Sequence, residues 1–160
     1  MPYPLPDPPL ADDLVRLRPW RREDAAALAA AWADEAIRRW TAVPADPSED
    51  HARRWIDGAE LRRSQGVALD LVVSPADPDD DTVLGEVGLV TMAGGPSRAE
   101  VGWWTGPAHR RQGVATRAVT LFAGWCRDEL GIELFAEVDP DNPPSLWVAE
   151  AAGVRIRLSS

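Results

Sequence analysis

A short turn rich in arginine and glycine is the part of this sequence best suited to chemistry. The run Arg110-Arg111-Gln112-Gly113-Val114-Ala115-Thr116 follows a predicted strand at residues 98–105 and opens a long amphipathic helix. The first turn of a helix leaves backbone N–H groups unpaired and carries partial positive charge. Gly113 has no Cβ, so an anion can approach the backbone closely, and Arg110 or Arg111 can add a charge-assisted bond. The turn therefore predicts a pyrophosphate-binding site.

This turn differs from two common phosphate-binding motifs. No Gly-Lys-Ser/Thr follows the glycine, as a P-loop requires, and the Gly-x-Gly-x-x-Gly of dinucleotide folds is missing from it. Taken alone, the turn is also compatible with an ordinary connection between a strand and a helix.

Asn142 and Ser145 form a second candidate pair, one helical turn apart. They follow a predicted strand at residues 134–138 and open a helix that ends at Gly153. A structural explanation is available, because Asn142 suits the N-cap, Pro143 the first helical position and Gly153 the residue just past the helix.

In this order and spacing, the two features resemble the GNAT superfamily of acetyl-CoA-dependent N-acetyltransferases. Within it the chain is similar to the RimJ/RimL-like branch, which acetylates protein N-termini, through its opening at residues 14–24 and through Ile37-Arg38-Arg39-Trp40-Thr41. The resemblance covers about residues 12–155. It implies an α/β fold with a mixed, largely antiparallel sheet flanked by helices, here with a shortened C-terminus.

The resemblance implies acetyl-CoA as the cosubstrate and locates its site. The pantetheine arm is expected to enter a cleft between the fourth and fifth strands and to pair with residues 100–105 as an added strand would. Trp40 and Trp103 are expected to line the acceptor site. The expected cofactor-binding residues are Trp104, Thr105, Arg110, Arg111, Gln112, Gly113, Val114, Ala115, Thr116, Asn142 and Ser145.

Acetyl transfer from a thioester requires a neutral amine, a polarised carbonyl and a stabilised thiolate. At pH 7, deprotonating an α-amino group costs roughly 1 kcal/mol and deprotonating a lysine side chain about 4.6 kcal/mol. An N-terminal acceptor therefore asks little of a general base. The strand carboxylates that could serve are Glu86, Glu100 and Glu137. We prefer Glu100, which shares one face of its strand with Gly102 and Trp104, although a carboxylate there could simply face solvent or form a salt bridge.

Ser145 has two interpretations. By the resemblance, its hydroxyl is expected to hydrogen-bond the departing sulfur. As a serine at a helix start, it could equally satisfy nearby backbone N–H groups.

The sequence thus predicts an acetyl-CoA-dependent N-acetyltransferase that acts on a primary amine, first of all a protein or peptide N-terminus. One alternative keeps the chemistry and changes the acceptor to a small molecule, such as an amino acid or an aminoglycoside. Another is a non-catalytic acyl-CoA-binding paralogue. The segment after the last helix favours this third interpretation, because residues 154–160 offer one strand where the family has two.

That single strand predicts one of two arrangements. It pairs directly with residues 134–138, or another subunit covers its edge, in which case the protein is a homodimer.

Length and composition restrict the class of protein. The 160 residues suit one domain, which we place at residues 12–160 after a Pro-rich arm at residues 1–11 that is expected to be disordered or loosely draped. The formal net charge of −9 argues against nucleic acid as a partner and suits a cationic amine. No apolar run suits a membrane span, and the chain lacks His/Cys clusters, so neither membrane nor metal binding is expected. The single cysteine, Cys126, fits a core position and a reducing cytoplasm.

Seven of the eight tryptophans divide into two groups. Trp40, Trp103 and Trp104 are the candidates for lining a cleft. Core positions on helices are expected for Trp32, Trp55, Trp125 and Trp147. A turn is also expected around Gly94-Gly95-Pro96, between the third and fourth strands.

Overall fold

A computed structural model describes residues 1–93 and 97–160, so the turn expected at Gly94-Gly95-Pro96 lies outside the described residues. The strands are β1 (Val15–Pro19), β2 (Ala68–Pro75), β3 (Gly85–Thr91), β4 (Arg98–Thr105), β5 (Glu133–Val138) and β6 (Arg155–Leu158). The helices are α1 (Ala25–Ala33), α2 (Glu35–Trp40), α3 (Glu49–Asp57), α4 (Ala59–Ser64), α5 (Val114–Trp125) and α6 (Pro143–Ala152).

The six strands form one sheet in the order of the chain. Strands β1 to β4 pair antiparallel with their neighbours, with α1 to α4 inserted between β1 and β2, whereas β5 pairs parallel to β4 and β6 pairs parallel to β5. This confirms the mixed α/β fold with a largely antiparallel sheet and flanking helices that the sequence predicts.

Alternating side chains give the sheet two different faces. Leu17, Leu71 and Leu89 point to the face covered by α5 and α6, where they pack around Phe122. The opposite face, covered over β1 to β3 by α1 to α4, holds a tryptophan-rich core that includes Trp20, Trp32, Val72 and Trp104. We call this second side the α1–α4 face.

Capping residues set several helix boundaries where the sequence predicts them. Ser48 Oγ accepts a hydrogen bond of 3.1 Å from the His51 N–H and opens α3. Gly153 ends α6 in the left-handed conformation, with φ of +70°. The sequence predicts one helix from Ser48 to about Gly66, through Trp55, Ile56, Ala59 and Leu61. That prediction is wrong, because a break at Gly58 divides the segment into α3 and α4.

The N-terminal arm is more closely attached than its proline-rich composition suggests. Tyr3 is buried, and its hydroxyl hydrogen-bonds Thr91 at the end of β3. The backbone of Tyr3 also donates to the carbonyl of Arg63 at 3.0 Å, and the Arg63 guanidinium returns a hydrogen bond of 2.6 Å. The contacts of Tyr3 therefore fix the arm to the domain, contrary to the loosely draped arm that the composition predicts.

Strand β6 and Trp147 test two expectations drawn from the sequence. The last strand pairs directly with β5, from Phe135 opposite Arg155 to Val138 opposite Leu158. The expectation that Trp147 is a core residue is wrong, because α6 directs it outward and leaves 66% of its surface exposed. Within the described ranges, no helix has the length and apolar character needed to cross a membrane.

Candidate functional site

Strands β4 and β5 separate partway along their length. Strand β4 pairs with β3 from Ala99 to Thr105, but its register with β5 covers only Arg98 to Glu100. Beyond Glu100, the β5-facing edge of β4 has no partner strand in the part of the chain that the structure describes. Unpaired backbone N–H and C=O groups along such an edge can receive an extended ligand.

The arginine- and glycine-rich turn lies at the open end of this separation. Gly113 has φ of +76° and immediately precedes the first residue of α5, and Arg111 also takes a positive φ of +63°. A Cβ added at Gly113 would meet no atom within 4 Å, so the space in front of the helix N-terminus is open. Left-handed residues just before a helix turn successive N–H groups toward one side, which suits an anion.

Helices α5 and α6 begin at the same end of the sheet, because each follows the carboxyl end of one of the two separating strands. At the start of α6, the Asn142 amide donates to Ser145 Oγ at 3.0 Å, and Asn142 Oδ1 accepts from the Ser145 N–H at 3.4 Å. The Ser145 side chain therefore has one lone pair occupied, and its hydroxyl hydrogen remains available to donate.

An ion pair links the turn to α2. Arg110 donates to Asp34 Oδ2 at 2.6 Å, and the same oxygen caps α2 by accepting from the Ile37 N–H at 3.1 Å. Burial opposes the charge on Asp34, but the hydrogen bonds from Arg110 and Ile37 outweigh it and lower the pKa of this carboxyl. Trp40, Asp34 and Arg110 line a groove of about 300 Å³ beside the turn, so the structure brings Trp40 and the turn together.

The two tryptophans of β4 point to opposite faces. Trp103 packs against the core under α5, away from the α1–α4 face. Trp104 is buried in the tryptophan-rich core, where its indole N–H donates to Glu86 Oε1 at 3.2 Å. Only the backbone of Trp104 is therefore available to a ligand along β4, and Thr105 at the end of the strand remains partly exposed.

Glu100 lies at the closed end of the separation, opposite Phe135 on β5 and Val90 on β3. It is partly exposed and on the α1–α4 face. Within residues 1–93 and 97–160, it makes no hydrogen bond or ion pair that would fix its carboxylate.

Two partly buried carboxylates, Asp70 and Glu86, lie on the same face and form a feature that the sequence did not reveal as a pair. Burial raises the pKa of Glu86 to about 8, and the nearby Asp70 adds to the shift, while N–H donors from Trp20 and Trp104 oppose it. Burial likewise raises the pKa of Asp70 to about 6. The signal in the sequence was Asp70 itself, a single charge inside the apolar run of residues 67–73.

No group of three or more His, Cys, Asp or Glu side chains suited to a metal ion occurs in the described part of the chain. Cys126 is buried in the core, as expected, and its burial raises the pKa of the thiol to about 12, which leaves it unreactive as a nucleophile.

The chain belongs to the GNAT acetyltransferase family. The family model described as Acetyltransferase (GNAT) domain matches residues 15–155, which include the separating strands, the turn and both flanking helices. The comparison with curated proteins gave no match by sequence.

Solved structures share the fold at low sequence identity. A putative ribosomal-protein-serine acetyltransferase from Vibrio cholerae has a TM-score of 0.74 and 22% identity over 94% of this chain and 84% of its own. Mycobacterium smegmatis RimJ, in complex with CoA-disulfide, has a TM-score of 0.73 and 22% identity over 89% of this chain and 71% of its own. The microcin C7 self-immunity acetyltransferase MccE, in complex with acetyl-CoA and AMP, has a TM-score of 0.75 and 19% identity over 89% of this chain and 79% of its own.

Proposed function

We propose that the protein transfers an acetyl group from acetyl-CoA to a primary amine, with a protein or peptide N-terminus as the first candidate acceptor. The observation that carries this proposal is the juxtaposition of an unpaired β4 edge with the left-handed turn at Gly113. A pyrophosphate on the turn directs the pantetheine arm along β4, so the thioester reaches the closed end of the separation near Gly102. The neighbouring RimJ structure, which holds a CoA-disulfide, supports acyl-CoA as the ligand.

Each part of the site has a separate role in the proposed reaction. Backbone N–H groups of residues 111–116 hold the pyrophosphate, and Arg110 exchanges Asp34 for a phosphate oxygen. The Ser145 hydroxyl donates to the departing sulfur. A carboxylate on the α1–α4 face takes the amine proton; Glu100 is the base predicted from the sequence, and Glu86 is the alternative.

The acceptor is proposed from the cost of deprotonation. An α-amino group needs roughly 1 kcal/mol to become neutral at pH 7, which proximity to the thioester and one carboxylate can supply. A small-molecule amine is the second candidate, because the groove beside Trp40 has about 300 Å³, a volume suited to a small ligand. The complex of MccE with AMP shows a nucleotide bound to a protein of the same fold.

Calorimetry with acetyl-CoA tests the cofactor site. Gly113→Glu places a negative charge in front of the α5 N-terminus, and we expect at least a 100-fold loss of affinity. Gly131→Glu is the matched control: Gly131 also has a positive φ, of +64°, and open space around it, but it lies after α5. Equal affinity in folded Gly113→Glu protein contradicts the proposed site.

Release of CoA thiol tests the reaction itself. Peptides with varied first residues are compared with small amines as acceptors. Turnover with peptides supports the N-terminal acceptor, turnover with small amines alone supports the second candidate, and binding of acetyl-CoA with no amine-dependent release indicates the non-catalytic alternative.

A further inference from the structure

We propose that Glu86 is the proton acceptor for the acceptor amine and that Asp70 connects it to solvent. This inference rests on the proposed acetyl transfer and names the base within it. It differs from the choice of Glu100 that the sequence suggests.

Sheet register places Glu86 beside the expected position of the thioester. Glu86 lies opposite Trp104, and Gly88 lies opposite Gly102, so Glu86 and Gly102 are diagonal neighbours on one face, about 7–8 Å apart at their Cα atoms. Gly102 belongs to the part of β4 that has separated from β5. A Cβ at Gly102 would meet no atom within 4 Å, so the space above this strand position can receive a substrate group. An amine there is within reach of the Glu86 side chain, directly or through one water.

Glu86 is also held in a fixed orientation. Its Oε2 accepts from the Trp20 indole N–H at 2.8 Å, and its Oε1 accepts from the Trp104 indole N–H at 3.2 Å. Both indoles are buried in the tryptophan-rich core. Each carboxylate oxygen keeps a second lone pair for a proton. In the described structure no hydrogen bond orients the Glu100 carboxylate, whereas two orient that of Glu86, so Glu86 is the better-positioned base.

The charged groups around Glu86 favour a proton near neutral pH. On β2, Asp70 extends over Gly88, where an added Cβ would stand 2.8 Å from Asp70 Oδ1. From α4, the Arg62 Nε lies 3.9 Å from Asp70 Oδ2 and only partly balances the two carboxylates. On β1, Arg18 is already neutralised by its ion pair with Asp24 at 2.8 Å. Burial and the like charge of Asp70 therefore place the pKa of Glu86 in the range where a general base works best.

A path to solvent starts at Asp70. Asp70 lines a cavity of about 120 Å³ together with Trp20, Leu5 of the N-terminal arm and Arg63. A proton received by Glu86 thus has a neighbouring carboxylate and a water-sized space through which to leave.

Acetyl transfer begins with the loss of one proton from the acceptor. In its ionised form, whose population grows as pH approaches 8, the Glu86 carboxylate takes one proton from the acceptor ammonium. The lone pair of the resulting amine forms the N–C bond to the thioester carbonyl. The C–S bond breaks with its electron pair on sulfur, the remaining excess proton on nitrogen passes to the sulfur, and acetamide and CoA thiol result. Glu86 then releases its proton through Asp70 to solvent.

Steady-state kinetics of Glu86→Gln test the assignment, with Glu133→Gln as the matched control at an exposed ion pair. We expect Glu86→Gln to lower kcat by about 100-fold or more, with little change in acetyl-CoA affinity, and the control to keep its activity. Wild-type turnover that survives in Glu86→Gln, or a larger loss in Glu100→Gln than in Glu86→Gln, overturns the proposal and leaves the transferase function standing. Absence of amine-dependent CoA release from the wild-type protein overturns both.

Trp20→Phe provides a second test if Glu86→Gln folds poorly. It removes one hydrogen bond from the ionised carboxylate, so the pH at which kcat/KM reaches half its maximum should rise by about one unit. In parallel, the indole N–H resonances of Trp20 and Trp104 in wild-type protein should titrate together. An unmoved pH profile in Trp20→Phe, or indoles that do not titrate together, contradicts the role of Glu86.

Discussion

Replacing Glu86 by glutamine should change how the stability of the fold depends on pH. Burial raises the pKa of Glu86 from its ordinary 4.5 to about 8. Between pH 6 and pH 8 the folded protein therefore keeps a proton that the unfolded chain releases, so the free energy of unfolding falls as pH rises. One proton corresponds to about 1.4 kcal/mol per pH unit, and the slope halves as pH reaches the pKa, which gives a fall of about 2 kcal/mol from pH 6 to pH 8.

The contributions of Glu86 and Asp70 to the free energy of unfolding fall in different pH ranges. Burial raises the pKa of Asp70 to about 6, so its own contribution falls mainly below pH 6. Asp70→Asn should remove that lower part of the slope. Because it also removes a like charge beside Glu86, it should move the upper end of the slope to lower pH.

Urea unfolding followed by tryptophan fluorescence at closely spaced pH values measures the effect. Glu86→Gln should unfold with a nearly constant free energy between pH 6 and pH 8, whereas the wild-type value declines. A flat wild-type profile in this range, or the same slope in wild type and variant, refutes the protonation of the Glu86 carboxyl at neutral pH.

Three other predictions concern the site and the sheet edge. Asp34→Ala removes the N-cap of α2 and frees Arg110, so calorimetry should show tighter acetyl-CoA binding while thermal unfolding shows a loss of about 1 kcal/mol; weaker binding would contradict the proposed exchange of partners. Ser145→Ala should lower kcat by about 10-fold or more at pH values where the amine is neutral, the worth of one hydrogen bond to a charged sulfur, and an unchanged kcat removes that role. Although β6 pairs with β5 on one side, its outer edge has no partner strand in the described residues and Leu158 is exposed, so we still expect a homodimer that covers this edge; light scattering at high micromolar concentration would exclude it by showing only monomer.

Local sequence signals were sufficient for several helix boundaries. Ser48, Asn142 and Gly153 each occupy the cap position that their side chains or backbone freedom favour. The turn at Gly113 was recognisable because a glycine between a strand and a helix has a specific conformational use. These features depend on neighbours within a few residues, which a sequence displays directly.

The features that the sequence did not disclose depend on tertiary register. Asp70 and Glu86 lie sixteen positions apart in the chain, and only the pairing of β2 with β3 brings them together on one face. Trp147 has apolar neighbours in sequence but lies on the outer side of α6. The direct pairing of β6 with β5 was one of two alternatives, because hydrophobic alternation does not identify the partner of a strand.

The N-terminal arm has a practical consequence for anyone who shortens this protein. Its prolines and lack of periodicity make residues 1–11 look dispensable, and a biochemist would remove them first to improve crystals. Yet Tyr3 is anchored at Thr91 and Arg63, and Leu5 forms one wall of the cavity that Asp70 enters. Removal of the arm would widen that cavity into an open channel and rehydrate the acidic pair, so a truncated enzyme should show an altered pH optimum well before it shows an altered fold.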